Sequence, residues 1–178
     1  RHKGRRVYLA YLPYMLAEYR WWMKGSSRLL RREHHSYARV VRMPDESLLN
    51  RYYDNRQTPR PESLREDLET SEEAATRVPE KVYLHLRAAA ESGWDFSSRW
   101  FKNPDDLRTI HTADILPIDL NSLLYITETT IAEAYRVLKQ PLYARRFEKL
   151  ARKRKEAILQ YCWNDKDGYF GDYHLHEE

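Results

Sequence analysis

The chain has few of the residues that make turns and cross-links. It contains 5 glycines among 178 residues and a single cysteine, Cys162. One thiol excludes an internal disulfide, and we expect Cys162 to be a small buried residue late in a helix. Few glycines and many long side chains favour helices over a turn-rich sandwich. No apolar run approaches the roughly 20 residues of a membrane helix, so we predict no membrane-spanning segment.

Charge of one sign does not dominate the sequence either, although the formal net charge is +4. Residues 1–35 hold nine Lys and Arg against two acids, residues 62–75 hold six acids against one Arg, and residues 144–155 hold seven Lys and Arg against one acid. Such alternating blocks are typical of solvated helix faces. A nucleic-acid-binding protein would concentrate positive charge in one patch, so we predict no nucleic-acid partner.

Proline, glycine and a capping acid mark the ends of four predicted helices. Proline fits the first helical turn, glycine follows the last, and apolar residues recur every three or four positions between them. The predicted helices are residues 12–24, opened by Pro13 and closed by Gly25; residues 79–92, opened by Pro79 and closed by Gly93; residues 119–138, capped by Asp119; and residues 141–161, opened by Pro141.

Two stretches predict short extended segments, and one predicts an irregular loop. Residues 37–43 and 48–53 are β-prone and flank the turn 44–47, which predicts a short hairpin. Residues 163–170 predict a turn with extended flanks. Pro59 and Pro61 hold residues 57–63 as a loop, because each proline keeps the preceding residue out of the α region. Helix pairs joined by long loops are therefore expected, and such loops are often functional.

The most informative loop is Ser92–Trp100, with the sequence Ser-Gly-Trp-Asp-Phe-Ser-Ser-Arg-Trp. Asp95 lies between two aromatic residues just after a helix end. A carboxyl against aromatic rings is desolvated, which raises its pKa and keeps it protonated, so it could protonate a glycosidic oxygen. The residues alone favour a packed aromatic loop in which Asp95 caps the next element.

A second candidate is the loop Pro59-Arg-Pro-Glu-Ser63. In an extended segment Arg60 and Glu62 point to the same side, and fork donors beside a carboxylate suit a ligand rich in hydroxyl groups. A surface salt bridge on a stiff loop is the alternative.

Metal-binding patterns are weak. Residues 164–168 have the composition of a calcium loop, but no bidentate Glu follows at the required spacing. The histidine pairs at 34–35 and 174–176 have no partner at a recognised ligand spacing, so solvated loop histidines are predicted.

Five ordered motifs together resemble the trehalases, a family of glycoside hydrolases. The resemblance extends from about Tyr11 to the end of the chain, and the Ser92–Trp100 string is its most specific part. The motifs are Val40-Val-Arg-Met-Pro-Asp45 with Leu48-Leu-Asn-Arg-Tyr52, Pro59-Arg-Pro-Glu-Ser63, Ser92–Trp100, Pro117-Ile-Asp-Leu-Asn-Ser122, and Trp163-Asn-Asp-Lys-Asp-Gly-Tyr-Phe170 with Asp172-Tyr173.

The resemblance implies an α,α-trehalase that splits trehalose into two glucoses with inversion, without metal or cofactor. It makes Asp95 the general acid. It places Arg60, Pro61, Glu62 and Gly93 in the substrate-binding set, with Gly93 contacting sugar through its backbone. An inverting enzyme needs a second carboxylate as general base. In the family that base lies downstream of the region represented here, so we expect it outside these 178 residues.

The implied fold is all-α, part of an (α/α)6 toroid with two or three helix pairs, a short β-hairpin and long active-site loops. Residues 1–178 are predicted to be one partial catalytic domain without a separate second domain, and to be inactive alone. The alternative is a non-catalytic helical module that binds sugar or acts as a scaffold, which would follow if the natural chain ended at residue 178. The resemblance to the periplasmic form predicts the periplasm, with the cytoplasm as alternative, and a monomeric full-length protein.

Overall fold

The computed structural model describes residues 3–29, 35–74, 77–94 and 96–175, and these contain six α-helices and seven short strands. The helices are α1 (Lys3–Trp22), α2 (Ser26–Leu29), α3 (Leu64–Glu73), α4 (Pro79–Ser92), α5 (Ile118–Val137) and α6 (Pro141–Tyr161). The strands are β1 (Ser36–Tyr37), β2 (Val40–Arg42), β3 (Leu48–Asn50), β4 (Ile115–Leu116), β5 (Trp163–Asn164), β6 (Tyr169–Phe170) and β7 (Tyr173–His174).

The chain divides into two compact units. The central unit comprises Arg51–Leu116 and His174–Glu178, and the terminal-segment unit comprises Arg1–Asn50 and Pro117–Tyr173. All predicted site residues belong to the central unit. The prediction of one domain for the whole chain therefore stays a prediction.

Helices α5 and α6 pack against each other in the terminal-segment unit, and α1 packs on α5. The turn between α5 and α6 is a Schellman motif, in which the Gln140 amide donates to the Tyr135 carbonyl at 2.8 Å and the Lys139 amide donates to the Arg136 carbonyl at 3.1 Å. Lys139 occupies the left-handed position of this motif, with φ of +59°.

A polar network is buried at the centre of the terminal-segment unit. Glu128 of α5 and Arg154 of α6 are 1% and 3% exposed, and the Arg154 Nε donates to Glu128 Oε1 at 3.1 Å. Arg154 Nη1 lies 3.1 Å from the side-chain oxygens of both Asn50 and Asn121. The Tyr19 hydroxyl donates to Glu128 Oε1 at 2.9 Å. These bonds join α1, β3, α5 and α6 around one buried ion pair.

The hairpin and the later turn agree with the sequence predictions. β2 pairs with β3 in antiparallel register, and β1 adds a third strand on the other side of β2. The turn between β2 and β3 is closed by the Met43 amide, which donates to the Ser47 carbonyl at 2.9 Å. β5 and β6 pair around a turn in which Gly168 has φ of +69°.

Helix α4 forms much of the core of the central unit. Its apolar residues Val82, Leu86 and Ala89, spaced three or four apart, are all buried. The helix begins at Pro79 and is followed by Gly93, as predicted. Helix α3 was not predicted, because its segment is rich in acids and shows little apolar periodicity.

Two predicted helix starts are wrong. Helix α1 begins at Lys3 and continues through Pro13, which therefore lies inside the helix. A proline inside a helix removes one backbone hydrogen bond, but residues on both sides remain helical here. Helix α5 begins at Ile118, so Asp119 lies in its first turn and does not precede it as a cap. The Ile118 amide instead donates to Asp172 Oδ1 at 2.9 Å.

The described fold is mostly helical with small antiparallel sheets, which confirms the coarse fold class. The (α/α)6 toroid stays a prediction. Cys162 is buried after the end of α6, as expected, and burial raises the pKa of its thiol to about 11. Among the residues that the structure describes, no helix combines the length and apolar character needed to cross a membrane.

Candidate active site

The end of helix α4 presents Gly93 to solvent in a conformation that favours glycine. Gly93 has φ of +72°, in the left-handed region, and apart from its chain neighbours no atom of the described residues lies within 4 Å of where a Cβ would be. Ser92 braces the turn, because its hydroxyl donates to the Ala89 carbonyl at 2.6 Å and accepts from the Trp94 amide at 3.0 Å. The backbone at Gly93 is therefore exposed, and the hydrogen bonds of Ser92 hold the turn in one conformation.

Aromatic residues surround the next part of the loop. Asp95, the predicted general acid, lies outside the described residues. Trp94 and Phe96 on either side of it are 55% and 37% exposed, whereas Trp100 is fully buried. The Trp100 indole nitrogen donates to the Trp94 carbonyl at 2.8 Å, and the Arg99 guanidinium lies over both indole rings. Two exposed rings on a braced loop can offer apolar faces to a sugar.

Arg60 is buried and held by a carboxylate that the sequence did not single out. Its guanidinium donates to Asp67 of α3, with Nη2 at 2.6 Å from Oδ1 and Nε at 3.1 Å from Oδ2. The Arg60 amide also donates to Asp67 Oδ2 at 2.8 Å. Arg60 and Asp67 are 6% and 1% exposed. The ion pair of Arg60 is thus a buried bidentate one, which fixes the direction of its fork.

The two predicted motifs meet at Arg60. Its guanidinium carbon lies 4.7 Å from the centre of the Phe96 ring, within the range of a cation–π contact. The residue that directly follows Asp95 therefore contacts the arginine of the Pro-Arg-Pro-Glu-Ser loop. Phe96 has φ of +50°, an uncommon conformation for a residue with a side chain.

A second ion pair lies between the loop and helix α4. Arg87, 9% exposed, donates from Nε to Asp54 Oδ2 at 2.8 Å and from Nη1 to the Thr58 carbonyl at 3.4 Å. Partial burial would raise the pKa of Asp54, but bonds from the Arg56 amide and from Arg87 outweigh it and lower that pKa. One turn further along α4, Glu91 Oε2 accepts from the Tyr53 amide at 2.6 Å.

These charged groups line one small cavity of about 210 Å³. Its walls are formed by Asp54, Arg60, Glu62, Arg87, Ala90 and Glu91. Arg60 and Glu62 thus line the same cavity. The prediction that both lie in an extended segment is wrong, because Arg60 is extended but Glu62 belongs to the 3-10 turn Pro61–Ser63. Gly93 and Pro61 do not line this cavity. A larger cavity, about 430 Å³, lies in the terminal-segment unit, where none of the predicted site residues lines it.

Asp54, Asp67, Arg87 and Glu91 are charged residues of this region that sequence reasoning missed. The spacing of Arg87 and Glu91 gives a weak signal, because residues four apart share one face of a helix. The pairing of Arg60 with Asp67 across seven residues follows no standard period.

The chemistry available in the cavity is hydrogen bonding and charge. No group of three or more His, Cys, Asp or Glu side chains suited to a metal ion occurs in the part of the chain that the structure describes. His174 stacks on His111, with ring centres 5.3 Å apart, while His34 and His176 lie outside the described residues. Guanidinium donors beside carboxylate acceptors match a ligand with several hydroxyl groups.

Comparison with known proteins agrees with the motifs. The family model described as Trehalase matches residues 1–178. Periplasmic trehalases of Escherichia coli O1:K1 / APEC and of Shigella flexneri are each 44% identical over 174 residues, which is 98% of this chain. The chain spans about 30% of the length of these relatives. A match over the full chain by the family model, together with this identity, shows that the chain belongs to the trehalase family of glycoside hydrolases.

Proposed function

We propose that the protein to which these residues belong is an α,α-trehalase that hydrolyses trehalose to two glucoses with inversion. The observation that carries the proposal is the contact between the Arg60 guanidinium and the Phe96 ring, 4.7 Å from its centre. This contact places the Pro-Arg-Pro-Glu-Ser loop beside the segment that contains Asp95. Family membership supplies the substrate class, since the relatives are named periplasmic trehalases.

Asp95 is the general acid in this proposal. A general acid must be protonated when the substrate binds, so Asp95 carries its proton at that stage in this proposal. In that form it donates its proton to the oxygen that bridges the two glucose units, so that this oxygen leaves as a hydroxyl.

The binding residues hold one glucose unit. Arg60 and Glu62 supply donors and acceptors for its hydroxyl groups, Pro61 keeps these two residues in place, and the exposed backbone at Gly93 gives a further contact. The cavity of about 210 Å³ is smaller than the roughly 300–1,000 Å³ of sites for drug-sized ligands, so we infer that it receives a single ring.

The general base is a carboxylate outside these 178 residues in this proposal. Inverting glycosidases place their two carboxyl groups roughly 6.5–9.5 Å apart, which leaves room for the attacking water. Both compact units are parts of one catalytic domain, the (α/α)6 toroid, which the rest of the protein completes. The full-length protein is a periplasmic monomer.

The test uses the full-length protein with Asp95→Asn, and Asp105→Asn as a matched control. Asp105 is an exposed residue in the same unit, and its substitution removes the same charge. We expect Asp95→Asn to lower kcat for trehalose by roughly 100-fold or more, in the range that general acid catalysis contributes. The control should keep wild-type activity.

Analysis of the glucose anomers released by the wild-type full-length protein tests whether hydrolysis proceeds with inversion. Proton NMR of fresh product should show equal amounts of α- and β-glucose, since inversion changes one of the two anomeric centres. Near-wild-type hydrolysis by Asp95→Asn would show that Asp95 is not the acid. A wild-type protein that binds trehalose without hydrolysing it would favour the non-catalytic sugar-binding module.

A further inference from the structure

We propose that Arg87 is a positioning residue, which fixes the loop 51–60 so that Arg60 and Glu62 point into the sugar cavity. This inference rests on the proposed function for its substrate, trehalose. Its structural basis is a set of contacts from one face of helix α4 to three points of that loop.

The loop has no helix or strand of its own between residues 51 and 60. Its conformation therefore depends on contacts with neighbouring elements. Arg87 binds it twice, at the Asp54 carboxylate (2.8 Å) and at the Thr58 carbonyl (3.4 Å). Glu91, four residues later and on the same face of the helix, accepts from the Tyr53 amide at 2.6 Å.

The fork of an arginine is what allows contact at two points. Nε and Nη1 lie on one planar group, so a bond to Asp54 sets the direction of the donor that reaches Thr58. A lysine would keep the positive charge but present a single nitrogen on a flexible stem. Arg87→Lys therefore separates the geometric role of the side chain from its charge.

Burial makes this pair important for the loop. Arg87 is 9% exposed, so its charge needs a partner within the protein. The pKa of Asp54 is lowered by its bonds from Arg56 and Arg87 despite the opposing effect of burial, so Asp54 stays ionised at neutral pH. Thr58 is two residues before Arg60, and Arg87 lines the same cavity as Arg60 and Glu62. A displaced loop would therefore misdirect the sugar-binding side chains.

The expected kinetic effect is a change in KM. Arg60 and Glu62 hold the glucose ring in both ground state and transition state in this proposal, and loss of such uniform binding raises KM without lowering kcat. In the full-length enzyme, Arg87→Lys should raise KM for trehalose about tenfold and keep kcat within about twofold of wild type. The effect on KM is smaller than the roughly 100-fold loss of activity that a 1 Å misplacement can cause. A merely structural role would lower kcat through loss of folded enzyme and leave KM unchanged.

Two further variants complete the experiment. Asp54→Asn removes the carboxylate partner and should raise KM similarly, while the Asp54→Asn/Arg87→Lys double variant should be no worse than the more impaired single variant, because both changes break one contact. Arg65→Lys is the matched control, since Arg65 pairs with Glu69 at 2.7 Å on the exposed surface of α3 and its side chain is 85% exposed. It should have wild-type KM and kcat.

Hydrogen exchange gives a readout that does not depend on activity. Arg87→Lys should accelerate amide exchange in residues 51–60 and leave exchange in α4, α5 and α6 unchanged, which also verifies that both units of the variant are folded. Unchanged KM together with unchanged loop exchange would overturn the proposal. If the wild-type enzyme fails to hydrolyse trehalose, the proposed function is wrong, while the exchange comparison still decides whether Arg87 fixes the loop.

Discussion

Replacing Arg154 with leucine should be among the most destabilising single changes in the terminal-segment unit. The guanidinium of Arg154 is the counter-charge of Glu128, and the two residues are 3% and 1% exposed. Arg154→Leu leaves Glu128 buried without an opposite charge, and removing one partner of a buried pair costs about 3–5 kcal/mol.

The network around the ion pair adds to that cost. Arg154 donates to Asn50 Oδ1, which would lose this donor, and an unsatisfied buried acceptor costs about 1–3 kcal/mol. Asn121 Oδ1 keeps a bond from the Asn50 amide at 2.8 Å, so it is affected less. Glu128 Oε2 already has no hydrogen-bond partner among the described residues, so the network has no spare donor that could replace Arg154. We expect a total loss of about 4–8 kcal/mol, which is a large part of the 5–15 kcal/mol that stabilises a typical domain.

Urea unfolding of the full-length protein at pH 7, followed by circular dichroism, measures the change in the free energy of unfolding. The matched control is Arg152→Leu on the same helix, because Arg152 is exposed and should change stability by no more than about 0.5 kcal/mol. The Glu128→Leu/Arg154→Leu double variant should lose less than the sum of the two single variants, since neither charge is then left alone. A loss below about 1 kcal/mol for Arg154→Leu, or one equal to the control, would refute this reasoning.

Two further predictions concern a buried histidine and a strained turn. Burial, followed by the charges of Arg77 and His111, lowers the pKa of His85 to about 3 from its ordinary 6.5, so His85 is neutral in the folded protein. The free energy of unfolding should therefore decrease as the pH falls from 6.5 towards 3. Urea midpoints across this range should fall less steeply for His85→Gln. Lys139 has φ of +59°. Because glycine adopts this conformation without steric cost, Lys139→Gly should raise the free energy of unfolding by about 0.5–1 kcal/mol. An unchanged or lower urea midpoint would contradict that expectation.

The helices with strong local signals could be predicted from the sequence. Proline at residues 79 and 141 and glycine at residue 93 placed the starts of α4 and α6 and the end of α4 correctly. Each of these signals acts within one turn of the residue that carries it, so no knowledge of distant contacts was needed.

The start of α5 depends on a residue far away in the sequence. The amide of Ile118 is bound by Asp172, which lies 54 residues away, so no local pattern could identify it as the partner of α5. Asp119 has the residue type of a cap but bonds the neighbouring Leu120 amide. Pro13 was expected to open a helix, yet the residues before it are helical too.

The candidate site was predicted through its motifs, and its supporting residues were not. Arg60 and Glu62 do line one cavity. Asp67, which forms the ion pair with Arg60, belongs to α3, a helix that could not be predicted because its sequence is rich in acids. The contacts of Arg87 depend on how the loop folds back on α4, which periodicity does not encode. The catalytic role of Asp95 stays a prediction from its sequence neighbours.

At position 93 the backbone conformation, and not the space available for a side chain, is the reason why glycine is favoured. The backbone of Gly93 has φ of +72°, yet apart from its chain neighbours a Cβ there would meet no atom of the described residues within 4 Å. Any other L-amino acid would be disfavoured there because its Cβ makes the left-handed conformation less stable. Asparagine and aspartate would be tolerated best. A D-alanine introduced by chemical ligation would fit this backbone without strain. A D-alanine variant that remains as stable as the wild type would show that position 93 needs a residue that adopts the left-handed conformation, and not the absence of a side chain.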